Sequence, residues 1–361
     1  MNIPKYGASK HKLNLSSGLS LIELLIALAL SATLIVGVIT VYLDSNQTSR
    51  LSASLAKIQE SGRIATEIIA RDVRMAGFQG CADPNSVAMN IIANDPPTAD
   101  FFESTLLGWE VGGTSWANGT SFSGEAIETA ARVGSDVIAI QRGDMVPIQV
   151  TGNMTDTNAN IQVSGQLSLF QQNDVVLISD CENADLFRIS STPTSGTWAH
   201  ASNVNTSNRL SQAYNETARI MRFSSTAYFV ADTGREDLAG NPIFALYRQR
   251  ETNAGGVFVI DELVEGVESM QILYGERLSS DNIRYVPAGT SGLDMRNVVA
   301  VKIGLLISDA ERVQTAPDQQ SYQLPGQLIQ PAGTAGASVT HPADNRIRRT
   351  FESTINIRNR I

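Results

Sequence analysis

The stretch "SSGLSLIELLIALALSATLIVGVITVYLDSN", Ser16 to Asn46, contains 25 consecutive residues, Leu19 to Leu43, in which Glu23 is the only charge. At 1.5 Å per residue such a run makes a helix about 37 Å long, enough to cross a hydrocarbon core of roughly 30 Å with some tilt. An ionised carboxylate inside that span costs about 3 kcal/mol even on lenient insertion scales, so a plain membrane anchor gains nothing from Glu23.

The residues before it, "MNIPKYGASKHKLNLSSG", carry Lys5, Lys10 and Lys12 and no acid. A basic leader followed by an apolar run is similar to a secretory signal, but this run is about twice the usual length and no small-x-small cleavage site closes it. It is expected to stay as a single membrane helix. The lysines ahead, with only Arg50 and Lys57 close behind, put the leader in the cytoplasm and everything after Leu43 outside. The remainder reads as one polar, folded body, since the 361 residues are 42% hydrophobic and 17% charged. The formal charge of -9 becomes -12 without the three leader lysines, which argues against a nucleic-acid partner.

"GLSLIE", Gly18 to Glu23, at the end of a short basic leader, resembles the class III signal of type IV prepilins and type II secretion pseudopilins. The resemblance implies cleavage after Gly18 by a prepilin peptidase and N-methylation of the new amino terminus, Leu19. Phe is usual at that first position, and Leu19 departs from it. Many major pilins also carry a helix-kinking proline that this stretch lacks, so a straight or gently bent helix is expected, with Gly37 its softest point. In a filament the Glu23 carboxylate is expected to meet the Leu19 amino group of a neighbour. Breaking such a buried pair costs about 3 to 5 kcal/mol, which makes Glu23 the candidate docking residue. A Glu that snorkels to the interface is the plainer alternative.

Behind the apolar run, Leu51, Leu55, Ile58, Gly62, Ala65, Ile69, Asp72 with Val73, and Ala76 recur at steps of three and four, while Lys57, Glu60, Arg63, Glu67 and Arg71 occupy the opposite face. An amphipathic helix should therefore continue the apolar one and stop near Gly77 and Gly80. A coiled-coil stalk is the competing reading, disfavoured by Gly62 and Asp72 on the seam. After Cys81 the pattern turns to β-rich runs at 135 to 141, 174 to 179, 226 to 232, 242 to 249, 267 to 275, 297 to 308 and 349 to 359. The alternation of Phe351, Ser353, Ile355 and Ile357 predicts a last strand with one exposed face. The polar stretches "WANGTSFSGE", "STPTSGTWAHASNVNTSN" and "TAPDQQSYQLPGQLIQPAGTAGASVTHPADN" are expected to be surface loops. The fold class that follows is α+β, a long pilin-like amino-terminal helix packed on a large β-rich head. Its parts are a leader (1–18), a membrane and filament-core helix (19–43), an amphipathic continuation (44–80) and the head (81–361).

Cys81 and Cys181 both fall outside the membrane in this topology, where oxidation is permitted, so a disulfide closing a loop of about 100 residues is expected; two free thiols are the alternative. "RDVRMAGFQGC", "VVLISDCENADLFRI", "ELVEGVESMQILYG" and "RRTFESTINIRN" resemble the PilW group of minor pilins, related to the J-type minor pseudopilin of type II secretion. That resemblance implies a low-abundance priming or tip complex that initiates pilus assembly, with twitching motility, adhesion or DNA uptake downstream. Its implied partners are other minor and major pilins, the prepilin peptidase and the inner-membrane assembly platform. The head would lie in the periplasm, then on the cell surface. A J-type pseudopilin is the variant of this reading; a tip adhesin using loops around Trp109, Trp116 and Trp198 is the other class.

The chain offers no sign of catalysis or of a cofactor. Its three histidines, His11, His200 and His341, are read as one in the leader and two in loops, and no nucleophile elbow, Walker loop or C-x-x-C is present. "DTNAN" at Asp156 begins like a calcium loop but has Ile161 and Leu167 where glycine and glutamate are required. "RGD" at Arg142 to Asp144 reads as a strand followed by a turn, and "RIRR" at Arg346 to Arg349 as a solvated start of a strand.

Overall fold

A computed structural model describes residues 20–83, 86–94, 105–112, 131–251 and 258–360. The chain divides into two compact units, Met1–Ser52 and Ala53–Ile361. One helix, α1 (Leu21–Arg74), runs through the boundary for 54 residues. Nothing in its sequence interrupts it: there is no proline, Glu23 lies in the first turn and Arg71 and Arg74 in the last, each favourable to the helix dipole. It ends where expected, with Gly77 and Gly80 at φ of +72° and +81°, a conformation that other residues adopt at a cost.

In the first unit the apolar side chains from Leu21 to Leu43 are exposed. The second unit carries the head, with seventeen strands among its described residues. They are β1 (Asn90–Ile91), β2 (Leu106–Glu110), β3 (Asp136–Val150), β4 (Ile161–Gly165), β5 (Val175–Ser179), β6 (Ala184–Arg188), β7 (Thr197–Trp198), β8 (Arg219–Glu236) and β9 (Pro242–Glu251). There follow β10 (Phe258–Glu265), β11 (Val267–Arg277), β12 (Ile283–Val286), β13 (Val298–Arg312), β14 (Tyr322–Leu324), β15 (Gln327–Pro331), β16 (Val339–His341) and β17 (Arg346–Asn356).

Ten strands form one sheet in the order β1-β6-β5-β8-β3-β4-β7, with β2 added to β3, β9 to β8 and β10 to β9. The long strands β3 and β8 pair with each other and each changes its second partner along its length. They therefore serve two cores. One gathers Ile58, Ala65, Ile69 and Val73 of α1, Ile138 and Tyr228 of this sheet, and Ile272, Val301, Ile303 and Ile355 of a four-stranded sheet, β12-β11-β13-β17. The other lies among β4 to β7 around Trp198, Phe170 and Phe187. Alternate residues of β3 and β8, such as Val137, Ala139, Ala227 and Phe229, pack with Trp109 on the far face, which is why these strands read as unbroken apolar runs.

All seven expected strands are present. The last one exposes Thr350, Glu352, Thr354 and Asn356 on one face and holds Ile355 inside. The stretch 315–345 departs from the expected loop: β14, β15 and β16 form a three-stranded sheet with Leu306, Leu324 and Ile329 as its core. These strands are three to five residues long and separated by proline and glycine, too short for an alternation signal. The stretch 191–208 is likewise no solvated loop, because Trp198 and Asn205 are buried in it. "WANGTSFSGE" lies outside the described residues.

Candidate functional site

The exposed part of α1 is chemically prepared for an apolar medium. Thr33 donates its hydroxyl proton to the Leu30 carbonyl at 2.9 Å and Thr40 donates to the Val36 carbonyl at 2.9 Å, so their polar atoms are satisfied within the helix. Between Leu21 and Leu43 the only charge is Glu23, which is exposed one turn into the helix. By length and composition this helix is able to cross a membrane. Gly18 and Leu19, the expected cleavage and methylation positions, lie outside the described residues.

The rear of α1 is held to the head at several levels. Asp309 of β13, almost fully buried, accepts hydrogen bonds from the Ser54 hydroxyl and, at 2.9 Å, from Lys57 Nζ. Burial pushes the Asp309 carboxyl up, yet the bonds from Ser54 and Lys57 outweigh it and hold the group below its ordinary value. Lys57 is correspondingly raised by its bond to Asp309. One turn and a half further on, a Cβ at Gly62 would fall 2.4 Å from the Phe351 ring, so glycine is what lets β17 approach. Asp72 then takes two donors from the sheet, Arg142 Nη2 at 3.1 Å and the Tyr228 hydroxyl at 2.6 Å. Burial first, and the Asp72 charge second, keep the Tyr228 phenol protonated far into alkaline pH. Beyond the helix the chain hydrogen-bonds to β3, through Gly77 N to Gln141 O and Gly143 N to Phe78 O. Cys81 and Cys181 are joined in the expected disulfide, with Cα atoms 4.8 Å apart.

Four expectations are corrected. "RGD" is not a turn: Arg142, Gly143 and Asp144 lie within β3, and Arg142 bridges Asp72 and Asp144. "RIRR" does start a strand, but of its arginines only Arg349 is solvated, because Arg346 and Arg348 are 1% and 2% exposed. Arg346 pairs with Asp237 at 2.8 Å, and Arg348 with Glu268 at 3.0 Å, Asp344 at 2.9 Å and Asp318 at 3.2 Å. Burial raises the Glu268 carboxyl, but the Arg348 charge and hydrogen bond outweigh that and leave it below its ordinary value. His341 lies in β16 rather than a loop, and both it and His200 are buried. Trp109 and Trp198 are core residues of β2 and β7, not loop residues, because strand pairing turns both rings inward; Trp116 lies outside the described residues. Trp109 and Trp198 are thereby withdrawn from the surface that a tip-adhesin reading would use.

Residues 227–359 match the family model PilW, Type IV Pilus-assembly protein W. The matched segment runs from within β8 to just past β17, so it contains Glu268, Asp309, Phe351, Arg346 and Arg348, and it leaves out α1. Among solved structures, a type IV-like pilin from Thermus thermophilus is similar at 18% identity over 38% of this chain and 78% of that one, with a TM-score of 0.21. No curated protein matches the chain.

Proposed function

We propose that this chain is a minor pilin that acts without catalysis in a priming or tip complex, where it helps to initiate assembly of a type IV pilus. The observation that carries the reading is the exposed apolar helix from Leu21 to Leu43 with Glu23 as its only charge, ahead of a PilW region in the head. The membrane half would anchor the protein as a single pass in the inner membrane, leader in the cytoplasm and head in the periplasm, until extraction into the pilus. Its partners would then be other pilins, the prepilin peptidase and the assembly platform. Processing would start the mature chain at an N-methylated Leu19, and mass spectrometry finding Met1 instead, in cells with an active peptidase, would refute it.

The decisive experiment is Glu23→Leu in the native host. Removal of the carboxylate favours membrane insertion, so normal abundance and normal cleavage are expected. Cross-links from the apolar segment to other pilins should fade and surface pili should become sparse. A mutant with full piliation and unchanged cross-links would leave Glu23 with no assembly role.

A further inference from the structure

Glu110 ends β2 and Asp136 begins β3, and the two are directly opposed in the antiparallel register. Opposed residues share a face with Cβ atoms about 5 Å apart, and like charges there repel. The two carboxyls lie within hydrogen-bonding reach of each other. Asp136 is 4% exposed, whereas Glu110 is open to solvent. Asp136 is fixed by a backbone donor, Ile272 N, which reaches its Oδ2 at 2.6 Å.

No lysine or arginine among the described residues pairs with either carboxylate, and the internal stretches outside the described residues contain neither residue type. A third oxygen approaches the same place. Tyr274 of β11 is fully buried and its hydroxyl has no hydrogen-bond partner. The oxygen stands over Gly108, where a Cβ would come within 2.1 Å of it. Gly108 and Glu110 are two residues apart on β2 and so face the same way. Burial, then the charges of Asp136 and Glu110, raise the Tyr274 phenol well above its ordinary value.

We propose that Glu110, Asp136 and the Tyr274 hydroxyl form a calcium site on the β2–β3 edge, reached from solvent past Glu110. An all-oxygen set with two carboxylates suits a hard divalent cation. Calcium accepts water and irregular geometry in its remaining positions more readily than magnesium does. Two carboxylates make a weak site, in the range of about 0.1 to 1 mM found in extracellular modules. Bound calcium would tie the edge of the ten-stranded sheet to β11 of the four-stranded one.

The test uses the full chain in detergent at pH 7.5, with terbium and calcium as probes. Tyrosine-excited terbium luminescence should appear and be displaced by calcium at about 0.1 to 1 mM. Calcium at 10 mM should raise Tm by about 2 to 4 °C over sodium chloride of equal ionic strength. Asp136→Asn keeps an acceptor for Ile272 N and should remove the calcium response. Glu110→Gln, at an exposed position, should do the same even if Asp136→Asn folds poorly. Absence of any calcium response in the wild type, or an equal response in Glu110→Gln, overturns the site and leaves the pair sharing a proton instead.

Discussion

Replacing Asp72 by alanine tests how α1 is fastened to the head. The substitution removes the acceptor of a 2.6 Å bond from the buried Tyr228 hydroxyl and a 3.1 Å bond from Arg142. Removing one partner of a buried ion pair costs about 3 to 5 kcal/mol when the other charge is stranded. Arg142 is not stranded here, because it also pairs with Asp144 at 2.6 Å. The larger loss is therefore the unsatisfied phenol, at about 1 to 3 kcal/mol, and the total should be about 3 kcal/mol. For a head of roughly 300 residues, with an unfolding entropy near 2.1 cal/mol/K per residue, 1 kcal/mol moves Tm by about 1.5 °C. Asp72→Ala should thus lower Tm by about 4 to 5 °C, and Tyr228→Phe by about 2 °C. The double mutant should melt at least 1 °C higher than the sum of the two single losses, because both remove the same bond. Calorimetry of the full chain in detergent measures all three, with exposed Glu60→Ala as the neutral control. A Tm for Asp72→Ala within 1 °C of wild type, or strict additivity, would refute the account.

The bond network at Asp309 predicts a pH dependence. Its carboxyl is held below its ordinary value in the fold, so its contribution is present above the unfolded pKa near 3.9 and is lost as pH falls through the folded one. The Tm gap between wild type and Asp309→Asn should stay constant from pH 7 to about 5 and close below about 4; a gap that widens on acidification contradicts it. Lys57 is 55% exposed, so its share is screened and Lys57→Met should cost less than Asp309→Asn in the same melts. Cys181→Ser opens a loop of 100 residues, worth about 4.7 kcal/mol in the loop-entropy picture, and should lower Tm by about 7 °C; an unchanged melt would show the disulfide to be idle.

The long helix was legible because two signals met without a break. An apolar run long enough to span a bilayer passes into a stripe of period 3.6, and Ile58, Gly62, Ala65, Ile69, Asp72, Val73 and Ala76 of that stripe are all buried. Leu51 and Leu55 of the same stripe are only half-buried. Strand positions were also legible, as apolar runs of β-branched residues. The buried arginines were not. Apart from the nearby Asp344, Arg346 and Arg348 find their acids 109, 80 and 30 residues away in sequence, at Asp237, Glu268 and Asp318, which no local pattern shows. The same holds for Arg142, whose acid on α1 is 70 residues distant.

Charge placement along α1 separates two tasks. Behind Ser52 the buried polar side chains of the helix have partners in the head: Ser54 meets Asp309, and Asp72 meets Arg142 and Tyr228. Between Leu21 and Leu43, Thr33 and Thr40 are satisfied by their own backbone, and Glu23 is the only charge, with no partner among the described residues. A group that the fold does not use is free to be selected for what lies outside the fold. Changes at Asp72 or Asp309 should therefore appear in melting temperature, and changes at Glu23 in assembly with melting unaltered. The two phenotypes are separable because no bond within the described chain joins the residues that carry them.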